Sequence, residues 1–97
     1  MSRSLIERRL VDVNRRLRRA REELDVADEQ LRALSEVAED SRIRALVSET
    51  PLADREHHEA QRHADAMARS RAAVAASIEQ LERAQDELLE RLVTEPG

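Results

Sequence analysis

The chain has 97 residues, 39% of them charged, with a formal net charge of −4, one Gly, two Pro, and no Cys, Phe, Trp or Tyr. Without aromatic side chains there are none of the large apolar groups on which a compact globular core of this size rests, and without Cys there are no disulfides, thiol nucleophiles or cysteine zinc sites. What remains, dominated by Arg, Ala, Glu and Leu, is the composition of long helices joined along apolar seams.

The first predicted element is a helix over residues 4–48. Leu10, Leu17, Leu24, Leu31 and Ala38 recur every seven residues, and Ile6, Val13, Ala20, Ala27 and Leu34 fill the complementary slot. Two slots alternating at three and four residues describe one stripe on a coiled-coil helix. The first twenty residues hold no apolar run long enough for a secretory signal or a membrane span, so the expectation is a cytoplasmic protein with no membrane partner.

A turn is predicted over 48–51. Pro51 lacks an N–H to donate and disfavours helical geometry at Thr50, so the first helix ends before it. Proline also suits the first position of a new helix, with Thr50 as its N-cap and Asp54 near the positive end of its dipole. The second helix is therefore predicted over 51–94, followed by a short tail at 95–97. Its seam is formed by Ala60, Met67, Val74, Leu81 and Leu88 in one slot and by Ala64, Arg71, Ile78, Gln85 and Leu92 in the other.

In an antiparallel pair the numbers of facing residues keep a constant sum. Leu10 with Leu92, Leu17 with Gln85, Leu24 with Ile78, Leu31 with Arg71 and Ala38 with Ala64 all satisfy one register, which continues to the turn. The fold class expected is all-α: residues 1–97 as a single long antiparallel two-helix coiled-coil hairpin. Large residues meet near the chain ends and small ones near the turn, so the turn half has less apolar area to bury.

Apolar residues also lie off this seam. Val26, Ala33 and Val37 line a second face of the first helix, Ala68, Ala72 and Ala75 lie on the second helix, and Leu89 and Val93 add to them near its end. A homodimer forming a four-helix bundle is the simplest way to cover such faces.

The chemistry-bearing residues are sparse. Glu56 to His63 is the one cluster of metal-ligand types, and Glu59 and His63 are one helical turn apart. The zincin pattern HExxH is not met, because Arg62 stands where the second imidazole belongs. With no nucleophile beside a base and no phosphate-binding glycine loop, the expectation is a protein that is not an enzyme and has no cofactor or metal. A basic stretch from Arg8 to Arg21 is expected to pair with Glu79, Glu82, Asp86, Glu87 and Glu90 of the second helix. Arg15, Arg18 and Arg19 point most outward and are the candidate nucleic-acid contact, although the net negative charge and the lack of aromatic stacking partners argue against that partner.

Around the turn acids outnumber Arg, giving an acidic tip. The stretch Thr50 to Ala60 resembles in spacing the tip pattern GDLSENAEYHAA of the Gre factors, with Leu52 on its Leu and Asp54 on its second acid. It also resembles the tip of the DksA type, where an acid followed by Arg falls on Asp54 and Arg55. Pro51 stands where the first tip acid belongs, with Glu49 close by. The resemblance implies a transcription regulator whose tip, with Glu49, Asp54 and Glu56, enters the secondary channel of RNA polymerase. The residues themselves point first to a protein-interaction or scaffold module that self-associates.

Overall fold

A computed structural model describes residues 2–94; the tail expected at 95–97 lies outside the described residues. Two helices account for nearly all of them, α1 over Arg3–Ser48 and α2 over Pro51–Thr94, and there is no strand among the described residues. Ser2 sets the start of α1. Its hydroxyl oxygen accepts the Leu5 N–H at 3.2 Å and its carbonyl accepts the Ile6 N–H at 3.0 Å, so it acts as the N-cap, and the helix begins at Arg3 rather than at residue 4.

The break falls at Glu49 and Thr50. Glu49 takes a left-handed conformation, with φ of 53°, and its N–H donates to the Ala45 carbonyl at 3.1 Å. That is the single-bond αL closure of a helix, here made without the usual glycine. Thr50 then restarts the chain. Its hydroxyl oxygen accepts the Ala53 N–H at 3.2 Å and its carbonyl accepts the Asp54 N–H at 3.1 Å, with Pro51 in the first helical position.

The chain divides into two compact units, a terminal unit of Met1–Glu23 with Val74–Gly97 and a turn unit of Leu24–Ala73. In the terminal unit Ile6 and Leu17 are fully buried, with Ala20, Ile78 and Leu88 beside them in the core. The two helix segments run antiparallel there. The Arg3 guanidinium donates to the Leu92 carbonyl at 3.4 Å, the Gln85 amide donates to Asn14 Oδ1 at 2.7 Å, and Arg21 meets Glu82 at 3.6 Å.

The turn unit buries smaller residues, namely Ala27, Ala38, Ala53, Ala64 and Ser41. Its segments are antiparallel too. The Arg71 Nε donates to Asp28 Oδ1, and Ser41 lies 3.3 Å from His57 Nδ1. The Ser41 hydroxyl gives its one proton to the Ala38 carbonyl at 2.7 Å, so the His57 ring nitrogen is the donor in the second bond. Ser41 is buried with both oxygen functions used, and no buried polar side-chain atom among the described residues is left without a partner.

Every seam position from Ile6 to Ala45 on α1 and from Ala53 to Leu92 on α2 is buried or half-buried. Arg71 and Gln85 are accommodated because each has a polar partner on the facing segment, Asp28 and Asn14. The predicted pairing of the basic stretch is realised at Arg21 with Glu82, while Arg16 bonds Asp12 on its own helix at 3.1 Å.

Candidate functional site

Since the seam is internally satisfied, any binding chemistry rests on its two flanking edges and on the turn. In the terminal unit one edge is marked by the Arg21–Glu82 pair. The other edge is a shallow groove where Arg9, Asp12 and Val13 of α1 meet Ala84, Glu87 and Arg91 of α2. Within each unit, positions seven residues apart lie on the same edge.

The off-seam apolar residues divide between the edges. In the turn unit Val26, Ala33 and Val37 hold the heptad positions of Asp12 and Arg9 and flank the α1 seam on the side opposite Asp28, here called the groove edge of that unit. Ala68 repeats the position of Glu82 and, with Ala72 beside it, belongs to the edge marked in this unit by Asp28. In the terminal unit Ala75, Leu89 and Val93 lie on the Arg21–Glu82 edge. Val26 and Val37 are each 53% exposed; Leu89, Val93, Ala33, Ala68 and Ala72 are exposed and Ala75 is half-buried. The residues of α2 that share an edge with Val26 and Val37 are Ala66, Ser70 and Ala73, which sequence reasoning passed over. The signal was present in their four- and three-residue spacing, but sorting the edges requires the facing rule of an antiparallel pair.

The turn carries more apolar surface than its charge suggests. Ile43, Leu46 and Val47 are exposed near the end of α1, and Leu52 is exposed at the start of α2. A reading based on summed charge missed this cluster. Some of the acids are already matched: Glu39 accepts two bonds from Arg42, at 3.0 and 2.6 Å, and Asp40 pairs with Arg44 at 2.5 Å. The hydrogen bond from Arg42 holds the Glu39 carboxyl below the usual carboxylate range.

Glu49, Asp54 and Glu56 are all exposed. Asp54 lines a shallow depression with Arg55, His58, Glu59 and Arg62, and the His58 ring donates to the Asp54 carbonyl at 2.7 Å. Glu59 and His63 are exposed, and no group of three or more His, Cys, Asp or Glu fit to hold a metal ion occurs among the described residues.

Arg15, Arg18 and Arg19 are exposed and have no ion-pair partner among the described residues; Arg15 and Arg18 line a depression with Val11 and Asn14. No helix among the described residues is long and apolar enough to cross a membrane. Comparison with family models, curated proteins and solved structures finds no match to the chain.

Proposed function

We propose that this chain is a non-enzymatic helical interaction module that associates with itself, two copies forming a four-helix bundle. The observation that carries the reading is the exposure of Val26 and Val37, more than half open to solvent on a pair of helices whose own seam is already filled. A helix pair that has satisfied its internal seam has no further internal use for valines at regular spacing on its flank, and contact with another helical surface removes them from water at about 25 cal/mol per Å². The test is co-purification of two differently tagged copies expressed together. Retrieval of one tag with the other supports the reading, and failure to retrieve it removes self-association.

A second reading takes the turn as a probe that enters a protein channel, as the resemblance to the Gre and DksA arms implies, with RNA polymerase as the partner. Its support is Glu49, an acidic residue held in the left-handed region where glycine is the usual choice. A combined Glu49→Gln and Asp54→Asn variant tests it. A variant that changes transcript output from purified polymerase as much as the wild type does removes the acids from the mechanism.

A further inference from the structure

We infer that the groove edge of the turn unit, from Val26 to Val47 on α1 and from Leu52 to Ala73 on α2, is the surface on which a second copy of this chain docks. The inference rests on the self-association proposed above and assigns it to one of two available edges.

Charge is distributed unevenly along this edge. In the terminal unit this edge carries Arg9, Asp12, Glu87 and Arg91. At the equivalent heptad positions of the turn unit, α1 presents Val26, Gln30, Ala33 and Val37, and α2 presents His63, Ala66, Ser70 and Ala73. No Arg, Asp or Glu stands among these eight, in a chain that is 39% charged. Nearer the turn Asp40 and Arg44 neutralise one another, Glu56 and Glu59 form a polar margin, and exposed Val47 and Leu52 follow. An uncharged stretch bounded on the turn side by charged residues is closer to the composition of an interface core than to that of a solvated helix face.

The edge also has the size of an interface. From Val26 to Val47 the edge runs about 32 Å at 1.5 Å per residue, and two packed helices are about 18 Å across. A face of that size covers roughly 500 to 600 Å² per copy, so a pair buries a little more than the approximately 1,000 Å² that a specific interface requires.

The edge is partly self-complementary: Val26, Val37 and Val47 lie on α1 together with the small Ala33, and the small Ala66, Ser70 and Ala73 lie on α2 together with the larger His63 and Leu52. Under a two-fold axis the α1 half of one copy covers the α2 half of the other, valine against alanine, and the reverse contact is made at the same time.

The opposite edge of the same unit supplies the control. It presents the alanines Ala68 and Ala72, but Asp28, Arg42 and Asp65 stand among them. The experiment is light scattering on eluting peaks of the full chain and of four variants: Val37→Arg and Ala66→Arg on the proposed edge, and Ala68→Arg and Ala72→Arg on the other. Arg is a good helix former, and circular dichroism reports that each variant is folded. The inference predicts a wild-type mass of twice 11.1 kDa. It further predicts that Val37→Arg and Ala66→Arg raise the dimer Kd about 100-fold or more by burying an unpaired charge, while Ala68→Arg and Ala72→Arg stay dimeric. Dimers that resist the first two variants, or that dissociate equally with all four, overturn the assignment but leave self-association standing. A wild-type mass of 11.1 kDa at every concentration overturns both.

Discussion

Arg71 occupies a seam position on α2, one heptad from the buried Ala64 and Ile78, yet its guanidinium turns sideways to donate from Nε to Asp28 Oδ1 on α1. Both side chains of the pair remain 40% exposed, so water and salt share in their solvation. The pair interrupts a stripe of mostly apolar and small residues, as Gln85 with Asn14 also does. Asp28→Ala should therefore cost less than about 1 kcal/mol, and the cost should shrink in high salt. Arg71→Leu should raise stability by about 1 kcal/mol, because it places an apolar group against the seam and leaves Asp28 open to water. Urea midpoints of the two variants at low and high salt check both signs.

The turn stores a conformational cost at Glu49. A non-glycine residue in the left-handed region pays about 1–2 kcal/mol, partly offset in glycine by its greater freedom when unfolded. Glu49→Gly should stabilise the chain by about 0.5 to 1 kcal/mol, and Thr50→Ala should destabilise it by about 1 kcal/mol through loss of the cap to the Ala53 N–H. Shifts of the urea midpoint in these directions at unchanged slope are the expected result.

Glu39 provides a pH-dependent readout near the turn. Arg42 lowers its pKa from the ordinary 4.5 through a side-chain hydrogen bond, with Coulombic attraction adding to it. A carboxyl lowered in the folded state favours folding above its unfolded pKa, and that contribution is lost as the pH falls through the folded value. Carboxyl NMR should show Glu39 titrating below 4.5 in the wild type and moving upward in Arg42→Ala. An unchanged midpoint in the variant would mean that the pair does not persist in solution.

The two units should differ in local stability. The terminal unit buries Ile6, Leu17, Ile78 and Leu88, whereas the core of the turn unit is alanine and serine. In a Val37→Arg background, which the docking proposal makes monomeric, amide exchange should be faster over residues 36–64 than over 6–20 and 78–92. Leu17→Ala should cost about 3 kcal/mol because it empties a fully buried position.

The seam was readable in the sequence almost residue by residue, because a seven-residue repeat fixes which side of a helix is covered, and Thr50 with Pro51 leaves one place for the break. Ser2 was not read as a cap, since a lone serine at a chain end carries no periodic signal. The edges were harder. Val26 and Ala72 look equivalent on a list of off-seam apolar residues, and only the facing of Arg21 with Glu82 and of Arg9 with Ala84 and Arg91 separates them. Ile43, Leu46 and Val47 were overlooked because counting charge around the turn hides where the uncharged side chains point. The basic stretch illustrates the same limit. Arg21 lies beside the seam and reaches Glu82, but the exposed Arg15, Arg18 and Arg19 have no ion-pair partner among the described residues, although Arg19 holds the heptad position of Asp12.

The central claim is self-association, and sedimentation equilibrium of the purified chain over a wide concentration range tests it most directly. The account predicts a mass rising with concentration to twice 11.1 kDa and no further. A single species of 11.1 kDa across the whole range would contradict it.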